Sequence, residues 1–550
     1  ALKKKFMEEV AVLENVPEDQ LDWHPGSDKQ VLDLVHPSLF CFVNQVSRSI
    51  PRPESPLPWH KFIGSGTVTS QPKPKKKKRD GWEDEEVETW SKKFQWLPAE
   101  FRVDSNGKVT IESYINNLHP HLHKNLYGSI ASIFEKFVPL FNKVITDLLN
   151  PLPDRIPPEI VYERDDLYYF QDSEEEKEGE IDPNNEDEQE QENEDEKEEE
   201  NEDENEAMDE SEENKEESEE DNEEEQQQEE ADEPVQAMED EDNAQDNEDQ
   251  ANMDNDIMNA DAPDSEEEAQ PSTDEEAVAQ IAVNFWSKQG KNFERSGKDS
   301  FQERTLKFPE VPKKYESPLP HIETFDLKGR TLQVIVKIAE ILLTPEKPKY
   351  DGGAWHIEGM ENERIVATGI YYFTSENITQ SILEFRRSIR EPDYEQNDDW
   401  GVKKVFGMKS DDPLNQPAGF VITQQDRCIA FPNLYQHHVA NFKLKDKTKP
   451  GFRKILVFFL VDPTTPIVST ATVPPQQKSW FELELKTRMK GTYLEKIPKP
   501  VLDEIISYLD WPMDLEEAKK HREELMKERK FFVKENNEKV FERPFSLCEH

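Results

Sequence analysis

Cysteine is scarce in this chain: Cys41, Cys428 and Cys548 are the only three among 550 residues, and they lie far apart with no CxxC pair. Neither a disulfide framework nor a thiolate zinc site is therefore indicated, and a reducing compartment is the default. Long hydrophobic runs are missing too. The longest toward the C-terminal side, Ile455 to Val461, is far too short to cross a bilayer. The first residues, ALKKKFMEEVAVLENV, interleave charges with apolar side chains and lack the apolar stretch of a secretory signal. These absences lead to the expectation of a soluble intracellular protein, nuclear or cytoplasmic, with no membrane partner. Positive charge is locally absent as well. Between Asp172 and Glu276, 55 acidic residues are accompanied only by Lys177, Lys197 and Lys215. The formal net charge of -54 is concentrated in that tract, because the remainder carries 66 acids and 64 bases. Outside the tract the charge balance is ordinary, and the chain is long enough for two or three domain-sized units.

The tract itself, 172–277, has almost no aromatic or β-branched residues, so it cannot bury enough apolar surface to offset its ordering entropy. A long disordered acidic insertion is expected, either a self-repelling spacer or a polyanion that binds basic proteins. The basic run Lys73 to Arg79 (KPKKKKR) suits a nuclear-import signal, a nucleic-acid contact or a solvated loop. With a charge balance near zero elsewhere, sequence-specific nucleic-acid binding is not expected. Leu126, Ile130, Phe134, Phe137, Phe141, Val144 and Leu148 recur at spacings of three and four, which predicts an amphipathic helix ending at Asn150-Pro151. Just upstream, His119, His121 and His123 form HPHLH. This resembles a metal cluster, although a helix N-terminus is the simpler reading. After the tract the period changes to two: Leu332 to Ala339, Arg364 to Phe373, Arg427 to Phe431 and Arg453 to Val461 read as strands, the first with one buried face. Asp514 and Glu517 then form the capping box of a C-terminal helix. The expected organisation is a mainly helical N-terminal part (1–171), the acidic tract (172–277), a β-rich core (278–495) and a C-terminal helical segment (496–550).

Two ligands at i and i+2 on extended chain project from one face, so a single metal can take both. His-x-Glu occurs three times, at His321/Glu323, His356/Glu358 and His521/Glu523. His521 sits in a predicted helix, where residues two apart diverge by about 200°. His321 follows Pro318 and Pro320 and lies outside the strand series. Only His356/Glu358, after the turn-forming Gly352-Gly353, has strands on both sides. Downstream, His437-x-Val439 offers a third nitrogen, with His438 as competitor on the opposite face of the strand. Gly451-x-Arg453 then leads into an apolar strand on which Arg453, Ile455, Val457 and Phe459 share a face. A guanidinium among those neighbours needs an anionic partner.

The set H-x-E, then H-x-V and G-x-R before an apolar strand, resembles the iron(II)- and 2-oxoglutarate-dependent dioxygenases. The segments VLDLVHPSLF, WHIEGMENERIVATGIYY and IAFPNLYQHHV resemble a fungal family carried as domain of unknown function 4246. The resemblance implies an α+β protein with a double-stranded β-helix (jelly-roll or cupin-like) core and flanking helices. It implies His356, Glu358 and His437 as ligands of Fe(II), and Arg453 as the partner of the distal carboxylate of 2-oxoglutarate. The activity it implies is hydroxylation or demethylation of a substrate the sequence does not identify. The alternative is a non-catalytic nuclear binding protein, a β-helix scaffold whose acidic tract binds basic proteins. The chain departs from the commoner dioxygenase pattern in having Glu358 where Asp is usual.

Overall fold

The computed structural model describes residues 1–70, 89–151, 160–162, 305–308, 313–314, 322–395, 398–509 and 511–547. The basic run, the acidic tract, His321 and Cys548 lie outside the described residues. The chain divides into two units, 1–164 with 298–550, and 165–297. The second unit lies wholly outside the described residues, and every described element belongs to the first.

A seven-stranded antiparallel sheet forms the frame. Its order is Cys428–Pro432, Ile365–Glu376, Gly451–Val461, Thr331–Leu343, Ala99–Val103 and Val109–Ile111, and Val31–Val35 also pairs with Thr331–Leu343. The N-terminal part, expected to be mainly helical, thus contributes three strands to this sheet. A separate three-stranded antiparallel sheet runs Asn415–Ile422, Ile382–Ser388, Gln436–Val439. Among the described residues no ladder joins the two sheets into a closed barrel.

The amphipathic helix forms over Lys124–Leu149 and buries Leu126, Ile130, Phe134, Phe137, Phe141 and Val144. It packs with helix Leu2–Glu14 over one face of the large sheet, against Leu332, Val334, Val336 and Ile338. The other face, with Ile335, Ile370, Tyr372, Val457 and Phe459, packs against Leu383 and Phe385 of the small sheet and Leu525 of helix Leu515–Asn536. Strand Thr331–Leu343 is therefore covered on both sides, although its alternation predicts only one buried face. What covers its second face comes from elements distant in sequence. Two glycines set the spacing. At Gly369 a Cβ would stand 2.7 Å from both Phe137 and Phe141, so its absence lets the long helix lie close to the sheet. At Gly352 (φ +107°) a Cβ would stand 2.9 Å from the Val439 carbonyl oxygen, and the missing side chain lets the segment bearing His356 run beside strand Gln436–Val439.

Among the described residues no helix is long and apolar enough to cross a membrane.

Candidate metal centre

Backbone pairing brings the site together. His356 N–H donates to the His437 carbonyl at 3.2 Å, and His437 N–H donates back to the His356 carbonyl at 3.0 Å. The segment after Gly352-Gly353 thereby becomes a neighbour of strand Gln436–Val439. Residues paired this way across an antiparallel ladder project to the same face, and the two imidazole centroids lie 4.5 Å apart. Glu358, two residues beyond His356, completes the group. Its Oε1 is 3.7 Å from His356 Nε2 and 3.3 Å from His437 Nε2. Asn433 fixes the Glu358 backbone, accepting from its N–H (2.9 Å) and donating to its carbonyl (2.9 Å).

Among the described residues two groups bring three metal-capable donors within 4.8 Å of one another: His356/Glu358/His437 and His24/Asp33/His36. In the first group the tautomers suit a cation. His356 Nδ1 donates to the Ala354 carbonyl (2.8 Å), which leaves the Nε2 lone pair aimed at Glu358. His437 Nδ1 is sealed without a protein partner, in a ring that Phe431 approaches at 4.9 Å and Phe385 at 6.2 Å. Burial works to raise the Glu358 carboxyl, but hydrogen bonds and charge from His356 and His437 hold it well below the usual carboxylate range. Burial, with His356 beside it, pushes His437 below the ordinary imidazole value. His437 beside the Glu358 carboxylate thus has the protonation state that metal ligation requires, whereas at His356 burial is outweighed by the hydrogen bond and charge of Glu358, which raise it above the ordinary imidazole value, so a metal there would displace a proton. His437 and Glu358 are nearly enclosed, whereas His356 is 36 % exposed, so the group opens on its side.

His438 points elsewhere: its Nε2 lies 2.5 Å from Glu384 Oε2, and its ring lies tilted against Trp355 at 4.1 Å. His521 lies in helix Leu515–Asn536, 3.9 Å from Glu517. His119 Nδ1 accepts the N–H groups of His121 and Leu122 ahead of the long helix, and its ring packs on Trp59 and Trp480.

Arg453 is 2 % exposed. Its Nη1 donates to Ser381 Oγ (2.7 Å) and Thr423 Oγ1 (3.3 Å), residues bordering strands of the small sheet, while Nε has no partner. The guanidinium lies over the rings of Tyr372 (5.4 Å) and Phe442 (5.6 Å). No described carboxylate pairs with it, and burial pushes its pKa below the ordinary arginine value. Two hydroxyls and two ring faces do not neutralise a buried cation, so the arrangement is built for an anion.

Sequence reasoning misses the supports of this centre. Asn537, in a π-helical turn after the C-terminal helix, accepts from Gln436 Nε2 (2.5 Å) and donates to the Trp355 carbonyl (3.3 Å). It thus touches the residue preceding each histidine. Arg386 donates to Gln436 Oε1 (2.7 Å) and Glu542 (2.8 Å), with its guanidinium over Trp355 at 4.6 Å. None of these residues has a spacing signal, because the Asn537 and Glu542 contacts join segments over 100 residues apart.

Fold and site together define a mixed α/β protein in which two separate antiparallel sheets flank a two-histidine, one-carboxylate group able to hold a metal. The chain belongs to the family described as "Protein of unknown function (DUF4246)", whose pattern matches residues 1–484. No curated protein matches it. Weak likenesses to solved structures exist. The Fe(II)/α-ketoglutarate-dependent dioxygenase TqaL is 16% identical, with 27% of this chain and 52% of that one covered and a TM-score of 0.16. IDO from Bacillus thuringiensis is 11% identical, with 24% and 46% covered and a TM-score of 0.16. Fe(II)-HppE with (S)-1-HPP is 8% identical, with 24% and 48% covered and a TM-score of 0.11. The chain spans about half the length of these proteins, and likenesses this weak carry no inference about chemistry.

Proposed function

We propose that this protein is an Fe(II)- and 2-oxoglutarate-dependent oxygenase of hydroxylase or demethylase type. The observation that carries the reading is the convergence of His356, Glu358 and His437 on one point, between the same two sheets that enclose an arginine without an anion. Two imidazole nitrogens and one carboxylate on one face of a metal leave open positions, the ligand set typical of non-haem Fe(II) oxygenases. In this reading the two sheets form a double-stranded β-helix. The strand order supports it: Cys428–Pro432, Ile365–Glu376, Gly451–Val461 and Thr331–Leu343 on one side, and Asn415–Ile422, Ile382–Ser388 and Gln436–Val439, extended by the His356 bridge, on the other.

His356, Glu358 and His437 would hold Fe(II), and Arg453 the distal carboxylate of 2-oxoglutarate through a charge-assisted fork. Bound together, the metal and co-substrate supply activation of dioxygen for C–H oxidation, coupled to decarboxylation of 2-oxoglutarate to succinate. The chain's own contributions are positional. Asn433 fixes the Glu358 backbone, Ala354 sets the His356 tautomer, Phe385 and Phe431 keep water from His437, and Ser381 and Thr423 orient the guanidinium.

The test is anaerobic titration of the full chain with Fe(II) and then 2-oxoglutarate, followed by admission of air. Stoichiometric Fe(II) binding, 2-oxoglutarate-dependent absorbance and slow succinate release are expected. A chain that binds iron but no 2-oxoglutarate would sink the reading.

A further inference from the structure

A second polar group lies on the wall opposite the small sheet. Asp33 pairs with Ala339 across the ladder, so it shares a face with Lys337, two residues along. Lys337 in turn pairs with Val457, which belongs to the apolar cluster between the sheets. From Leu332 to Ile341 every residue is buried except Lys337, which is half-buried. Ile455, Phe385 and Val439, packed against that cluster, are likewise half-buried.

Three groups on this wall have a polar atom without a protein partner. Asp33 is 5 % exposed; its Oδ2 takes a hydrogen bond from His24 Nδ1 (2.8 Å), but Oδ1 is sealed and unpartnered. His36, 6 % exposed, accepts the Ser38 N–H at Nδ1 (3.2 Å), so its neutral ring carries the proton on Nε2, for which no acceptor is present among the described residues. Lys337 pairs with no described carboxylate. Its charge is felt at Asp33, His36 and His356 alike. A metal on His24, Asp33 and His36 fits poorly. It would need the His36 Nε2 lone pair that the Ser38 hydrogen bond denies, and it would sit beside the Lys337 ammonium.

Lys337 and Arg453 stand at different places along the wall. Arg453 pairs with Ile341, and Lys337 lies four residues from Ile341, about 13 Å along a strand rising about 3.3 Å per residue. With its guanidinium anchored on Ser381 and Thr423, Arg453 serves one end of the interior and Lys337 the other. What remains unmatched is one anionic acceptor and two donors, one of them cationic. As diagonal neighbours, Asp33 and Lys337 have their backbones about 7–8 Å apart. A ligand bearing an ammonium and a carboxylate a few bonds apart satisfies all three groups and leaves no net charge buried.

We propose that Asp33, His36 and Lys337 bind the ammonium and carboxylate of a free α-amino acid, whose apolar side chain crosses Ile455 and Phe385 toward His356, Glu358 and His437. As a statement about substrate this rests on the oxygenase reading; as a statement about binding it is measured independently of iron. The twenty standard L-amino acids are titrated one at a time, by calorimetry, into metal-free full-length protein, with Fe(II) and 2-oxoglutarate titrated separately. At least one apolar amino acid is expected to bind with a millimolar or tighter Kd. Asp33→Asn and Lys337→Met should each weaken it at least tenfold, and Lys337→Arg should retain most of it, with 2-oxoglutarate affinity unchanged in all three. Unchanged Fe(II) binding verifies the fold of each variant. The proposal is overturned if no amino acid binds the wild type, or if Lys337→Met and Asp33→Asn bind as the wild type does. Amino-acid binding without 2-oxoglutarate binding would overturn the oxygenase reading alone, whereas the reverse result would overturn only the amino-acid site.

Discussion

At the scale of single residues, what separates a structural charge from a functional one is whether the protein neutralises it. Arg522 meets Asp22 at 2.7 Å and Arg529 meets Glu363 at 2.5 Å, whereas Arg453, more deeply buried than either, meets hydroxyls and rings. Arg453→Ala is accordingly expected to retain Fe(II) while 2-oxoglutarate affinity falls by about 2 to 5 kcal/mol, the range for removing one partner of a buried charge pair. Arg453→Lys should recover only part of this, since an ammonium is a point charge where a planar fork fits. Equilibrium binding of 2-oxoglutarate to the Fe(II)-loaded variants checks both, and unaltered affinity in Arg453→Ala would assign the clamp to another residue. Gly369 poses the opposite case, a residue whose value is its missing side chain. Gly369→Ala places a carbon 2.7 Å from Phe137 and Phe141, and overpacking of that kind costs about 1 to 3 kcal/mol. Urea unfolding should show the loss as a lower midpoint with an unchanged slope.

At the scale of elements, the C-terminal segment acts on the centre without contributing to it. Residues beyond 484 fall outside the family match, yet helix Leu515–Asn536 packs Leu525 into the cluster between the sheets. The π-turn that follows reaches both histidine-bearing segments through Asn537. Supports of this kind typically change metal affinity by about 10- to 100-fold when removed. Asn537→Ala should therefore weaken Fe(II) binding by at least about tenfold, with a melting temperature close to wild type because only two part-buried hydrogen bonds are lost while Phe541 of the same turn keeps its packing. Competition against a chelator of known affinity measures the first quantity and calorimetry the second. A variant that melts much earlier but binds iron normally would make Asn537 a fold contact instead.

At the scale of the whole molecule, the charge is segregated: almost all of the -54 lies in one tract, and the rest of the chain is nearly balanced. A segment with so little apolar content contributes little to a core, so deletion of 172–276 should leave melting temperature and Fe(II) affinity within error of the full chain. A large drop in either would show that the tract packs or chelates. Several features were legible in the sequence because they are local. The helix over 124–149 and the strands around 332, 364, 428 and 453 follow from the period of their apolar residues, and the His356/Glu358 pair from a spacing of two on extended chain. Three features only the tertiary structure decided. Which of His437 and His438 faces Glu358 became geometric once strand Gln436–Val439 paired with the His356 segment, since pairing fixes which face of the strand meets Glu358. The strands Val31–Val35 and Ala99–Val103 are fixed by pairing, because Thr331–Leu343, held along one edge by Gly451–Val461, offers its other edge to both of them. The wall of Asp33, His36 and Lys337 assembles across some 300 residues of chain; periodicity reports which side of its own element a residue occupies, and only the packing of one element on another determines what that side faces.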